Sequence, residues 1–61
     1  MTLTEAMDRI EALGWKVIAA KKHAGGVSFD ATDYKRLAKG GCFVDPNVAM
    51  QSCLQAVLEK K

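Results

Sequence analysis

Lys21, Lys22 and His23 run directly into Ala24, Gly25 and Gly26, so two ammonium groups and an imidazole sit beside two backbone amides that no side chain shields. Adjacent unshielded N–H groups can form a concave nest for an anion, and neighbouring cations strengthen it. A Gly-Gly pair is equally the ordinary device of a hairpin loop, with His23 as an exposed loop residue. Lys35, Arg36 and Lys39 follow, and with Lys16 they make the middle of the chain basic, whereas Glu5, Asp8 and Glu11 gather near its start. The net charge is only +2, so these cations read either as solvated charges that keep a small protein soluble or as a surface for phosphates or an acidic protein. The candidate anion- or partner-binding residues are therefore Lys21, Lys22, His23, Gly25, Gly26, Lys35, Arg36 and Lys39.

Catalytic patterns are absent from the chain. No carboxylate pair set for acid–base work is evident, there is no Gly-x-Ser-x-Gly or phosphate-binding Walker loop, and the single histidine has no identifiable acid or nucleophile partner. The expectation is a protein that is not an enzyme and needs no cofactor. A structural zinc site needs about four ligands at close spacing, and only Cys42, Cys53 and His23 are offered, so no metal is expected. Neither a signal peptide nor an apolar run able to span a bilayer is evident, which points to a reducing cytoplasm and two free thiols, and away from a membrane.

Sixty-one residues make one domain, spanning 1–61, with a thin core. From Trp15 to Thr32 apolar and polar residues alternate: Trp15, Val17 and Ala19 against Lys16, Ile18 and Ala20, then, after the His23–Gly26 loop, Val27, Phe29 and Ala31 against Ser28, Asp30 and Thr32. This is the pattern of a β-hairpin with one apolar face. The flanking segments must cover that face. Thr2-Leu3-Thr4-Glu5 matches a capping box, Leu3, Ala6, Met7, Ile10 and Leu13 recur at helical spacing, and Gly14 can end the helix with Trp15 folding back on Ile10. Asp45-Pro46 opens a second helix whose stripe is Met50, Cys53, Leu54, Val57 and Leu58, flanked by Ala49 and Ala56, with Glu59, Lys60 and Lys61 in solvent beyond it. Cys53 in that stripe reads as a small buried apolar residue.

Between the hairpin and the last helix, Tyr34, Arg36 and Ala38 alternate with Lys35, Leu37 and Lys39, which suits a third, edge strand better than a helical turn; Cys42, Phe43 and Val44 would extend it and bury Phe43 or Val44. The fold class is α+β, a small antiparallel sheet of two or three strands covered on one face by N- and C-terminal helices (α-β-β-(β)-α). Ile18 and Ala20 would then lie on the uncovered face, and a free strand edge or that face would favour a homodimer.

The helix ending Glu-Ala-Leu-Gly-Trp, the hairpin with Gly-Val-Ser-Phe opening its second strand, and Pro46 followed by Ala49-Met50-Gln51-Ser52-Cys53-Leu54-Gln55-Ala56-Val57-Leu58 resemble the phage ABA sandwich domain family. The resemblance covers nearly the whole chain. It implies a bacteriophage or prophage protein working in a bacterial cytoplasm, and brings no functional residues with it. The order of elements also resembles the double-stranded-RNA-binding domain, which implies a basic run at the start of the last helix; Asp45, Pro46, Asn47 and Val48 stand there and carry no positive charge. Three functional expectations result. One is a non-catalytic phage accessory protein that sequesters or inhibits a host component, such as a defence protein or a signalling nucleotide. The others are a nucleic-acid-binding module using the basic hairpin, which is not favoured, and a structural or assembly subunit.

Overall fold

The computed structural model describes residues 1–60, so the solvent placement expected of Lys61 lies outside them. The order is α1 (Leu3–Ala12), β1 (Lys16–His23), β2 (Gly26–Thr32), β3 (Leu37–Lys39) and α2 (Pro46–Glu59), with the strands forming one antiparallel sheet in the order β1-β2-β3. This is the α+β fold anticipated from the hydrophobic pattern, with the third strand present.

The ends of α1 are built from local chemistry. Thr2 Oγ1 accepts the Glu5 N–H at 3.2 Å, the first half of a capping box. Glu5 completes it differently from the usual motif, since its Oε1 accepts the Thr2 hydroxyl rather than a cap N–H. At the other end Gly14 takes φ +87°, the Trp15 N–H reaches Ile10 O at 3.2 Å and the Gly14 N–H reaches Glu11 O at 3.0 Å. These are the paired bonds of a Schellman ending. In α2 the Asp45 carboxylate accepts the Asn47 N–H at 2.9 Å, and Pro46 opens the helix. Asn47 Oδ1 in turn accepts the Leu3 N–H at 2.7 Å, and Gln51 Nε2 donates to Met1 O at 3.0 Å. An otherwise unpaired donor of α1 is thus satisfied by α2 from the far end of the sequence.

In the hairpin His23 faces Gly26, leaving the two-residue turn Ala24-Gly25, and the register shifts between Val17 and Ala19. The extra residue of this bulge is Ile18. Because directly opposed residues of an antiparallel pair share a face, the shift puts Ala20 opposite Phe29 on the helix side and Ala19 opposite Asp30 on the other. Simple alternation assigned both the wrong way round.

A second departure lies in the segment after β2. Tyr34 and Arg36 are not in a strand: Asp33 accepts the Arg36 N–H on Oδ1 at 3.0 Å and its own N–H donates to Arg36 O at 3.3 Å, closing a turn before β3. Beyond β3, Val27 pairs with Phe43, where the running register would place Cys42, so one extra residue is absorbed within residues 40–42. Only the backbone of Phe43 joins the sheet. Phe43 is 39% and Val44 83% exposed, so neither is buried as expected, and the Phe43 ring lies against Gly41. Leu58, expected in the α2 stripe, is also exposed.

The core is Ala6, Ile10, Trp15, Phe29, Ala31, Ala38, Ala49, Met50, Cys53, Leu54 and Val57. Both helices cover one face of the sheet and pack against each other, α2 lying over β2 and β3 and α1 against β1. The other face is open.

Candidate functional site

Three places on the molecule offer recognisable chemistry. The first is the open sheet face. Asp30 on the central strand stands opposite Lys39 of β3, and Lys21 Nζ approaches Asp30 Oδ2 at 3.6 Å. Two residues along, Ser28 Oγ and His23 Nε2 lie 2.9 Å apart in a hydrogen bond whose direction follows the imidazole tautomer. Ser28 and Asp30 are only 8% and 7% exposed although no helix covers them, because their strand is flanked on both sides. The face is therefore a mostly satisfied polar sheet surface with Lys21, Lys39 and His23 at its outside.

The second place is the turn at the opposite end of β2. Arg36 donates from Nε to Asp33 Oδ2 at 2.9 Å, from its terminal nitrogens to Asp33 and to Lys60 O, and its guanidinium carbon lies 5.1 Å from the centre of the Trp15 ring. Thr32 Oγ1 donates to Arg36 O at 2.7 Å. The hydrogen bond from the Arg36 side chain holds the Asp33 carboxyl below its ordinary value of 3.8. Within this clasp Tyr34 takes φ +83° and is wholly exposed. A bulky residue in the left-handed region costs about 1–3 kcal/mol, and no burial of the ring offsets it. Beside it opens a cleft of about 360 Å³ lined by Gly14, Lys16, Thr32, Asp33 and Tyr34.

The third place is an apolar groove of about 300 Å³ between the helices, lined by Arg9, Ala12, Leu13, Leu54 and Leu58. Elsewhere, Cys42 and Cys53 are free thiols, exposed and buried respectively. Burial, with the Asp30 charge adding to it, pushes the Cys53 thiol up to about 11, far from the range of a reactive cysteine.

The eight candidate residues do not form one cluster. Lys21, His23 and Lys39 share the open face, but Lys22 stands opposite Val27 and belongs to the helix side. Gly26 has φ +144° and passes so close to the 43–44 backbone that a Cβ would stand 2.1 Å from Phe43 O, so its glycine is explained by packing. Gly25 keeps negative φ and open surroundings, so neither backbone angle nor packing requires a glycine there. Lys35 and Arg36 lie past the far end of β2, roughly 20 Å along the strand from the hairpin turn, and Arg36 is occupied by Asp33. The sequence reading missed Asp30, Ser28 and Tyr34. An Asp three residues before an Arg was a visible signal for the turn that displays Tyr34. The cross-strand placements required the register.

Among the described residues no group of three or more His, Cys, Asp or Glu is placed to hold a metal ion, and no helix is long and apolar enough to cross a membrane. Comparison with family models, curated proteins and solved structures finds no match to the chain.

Proposed function

We propose that the chain is a non-catalytic binding protein that engages an acidic partner through the open face of its sheet. The observation that carries this reading is the row in which Lys21 and Lys39 flank Asp30 on the uncovered face, with His23 beside them. Lys21, Asp30 and Lys39 line neither of the two clefts described above, which favours contact with another surface over enclosure of a substrate. The hydroxyl–imidazole pair of Ser28 and His23 supports the same reading, because among the described residues no carboxylate is hydrogen-bonded to the other imidazole nitrogen to orient it for general-base work. The resemblance to phage ABA sandwich domains supplies the setting we propose: a phage-encoded accessory factor in a bacterial cytoplasm that sequesters or inhibits a host component. A homodimer is part of the proposal, supported by Leu37, which stands opposite Thr32 on the open face and is half-exposed; an acidic partner would displace the second copy.

The test is retrieval from bacterial lysate with the tagged chain, identifying bound proteins and nucleotides by mass spectrometry, beside a Lys21→Glu, Lys39→Glu double variant of unchanged melting temperature. A species held by the parent and lost from the variant is expected. Equal retention by both moves the site off the open face. Retention of nucleic acid that falls steeply with salt would instead select the nucleic-acid reading.

A further inference from the structure

We infer that the cleft between Lys16 and Tyr34 is a binding site for a planar aromatic anion, a ring bearing a phosphate or carboxylate as in a nucleoside monophosphate. This goes beyond the open-face reading and does not depend on it, since Lys21 and Lys39 do not line the cleft.

Four observations meet there. First, Tyr34 is held at φ +83° with its ring entirely in solvent, in a turn fixed by Asp33, Arg36 and Thr32. Glycine would adopt that backbone freely, so the clasp maintains an aromatic ring where the backbone opposes one, and strained residues that persist in this way concentrate at ligand clamps. Second, Lys16 lines the same cleft and makes no hydrogen bond or ion pair through its side chain among the described residues, so its ammonium is free to meet an anion. Third, the one carboxylate of the cleft, Asp33, is neutralised by Arg36 and does not compete for that ammonium. Fourth, Thr32 Oγ1 spends its proton on Arg36 O and so presents lone pairs to a ligand donor, while Gly14 leaves the adjoining wall without a side chain. The opening of about 360 Å³ falls at the lower end of ligand-sized pockets. A ring stacked on Tyr34 with its anionic group towards Lys16 uses each of these features, and aromatic stacking tolerates any π-face.

The experiment is calorimetric titration of the whole chain with adenosine monophosphate and indole-3-carboxylate, which join ring and anion, and with adenosine and inorganic phosphate, which separate them. The joined ligands should bind at least tenfold more tightly than either separated one, and the stronger of the two identifies phosphate or carboxylate as the anion. Tyr34→Phe should retain binding, whereas Tyr34→Gly and Lys16→Gln should each weaken it tenfold or more. Tyr34→Gly also releases the strain, so its melting temperature should rise, which separates loss of the ring from loss of the fold. No heat from the joined ligands at millimolar concentration, or affinity unchanged in Tyr34→Gly, would overturn the assignment.

Discussion

Arg36 stacks over Trp15, with its guanidinium carbon 5.1 Å from the ring centre, and so joins the exposed turn to the most deeply set aromatic side chain of the core. Trp15 is 3% exposed and follows directly on the Schellman ending of α1. One residue thus closes the helix ending, directly precedes β1 and supports the turn that displays Tyr34. Trp15→Ala should cost about 3–5 kcal/mol, enough to unfold a domain near the lower bound of ordinary stability. Circular dichroism melting checks it, and an unchanged midpoint would mean that the core is anchored elsewhere.

The Asp33–Arg36 clasp makes a pH prediction. The hydrogen bond from Arg36 lowers the Asp33 pKa from 3.8 in the folded chain, so the unfolded state takes up the proton first as pH falls. The stabilisation is fully present above the ordinary carboxylate value and is lost as pH drops below it through the folded value. Chemical denaturation from pH 7 to pH 2 should show a loss of stability that is smaller in Asp33→Asn, because that variant has no proton to bind there. An identical acid slope in both proteins would show that the pair contributes nothing in solution, as many exposed ion pairs do not.

Much of this arrangement is legible from residue order, and the exceptions share a cause. Both helices, their Thr2 and Asp45 caps and the Gly14 stop depend on neighbours within a few residues, and local chemistry suffices to read them. Three antiparallel strands follow from alternation. The Ile18 bulge and the extra residue within 40–42 are set by packing across strands, and each reverses face assignments that strict alternation would give. The basic cluster failed for more local reasons: Lys21 and Lys22 point to opposite faces, as neighbours on any strand do, and Arg36 is claimed by Asp33 three residues before it.

Gly25 and Gly26 should respond in opposite ways to the same substitution. A Cβ on Gly26 would meet the Phe43 carbonyl at 2.1 Å and would also burden a φ of +144°, while one on Gly25 meets nothing within 4 Å. Gly26→Ala should therefore destabilise by about 2 kcal/mol or more through overpacking, and Gly25→Ala should be close to neutral or slightly stabilising. Denaturant midpoints of the two variants decide it. Equal effects would mean that the 43–44 segment does not pass the hairpin as closely as described.

The two cysteines should differ in reactivity. Cys42 is exposed, whereas Cys53 lies in the core with its thiol pushed up to about 11 by burial. Since the thiolate is the reacting form, a maleimide reagent at pH 7.5 should label one site rapidly in the native protein and a second only on unfolding. Two rapid sites would place Cys53 outside the core, and no labelling even after denaturation would reveal a disulfide.

The proposed homodimer can be assigned to a surface by elimination. The outer edge of β1 carries the Ile18 bulge together with Lys16, Lys21 and Lys22, and bulges and lysines are the devices by which sheets discourage edge-to-edge pairing. The open face instead offers Leu37, which stands opposite Thr32 and is 43% exposed, among alternating Lys21, Asp30 and Lys39. Two-fold pairing through that face would bury Leu37 from both copies and bring like-charged lysines together, so the association should strengthen as salt screens them. Light scattering at micromolar concentration should report twice the 6.6 kDa chain mass, with a dissociation constant that falls between 0.05 and 0.5 M salt. Leu37→Lys should return the monomer without lowering the melting temperature of the chain. A mass of one chain at every salt concentration would remove the dimer and leave the open face to the heterologous partner alone.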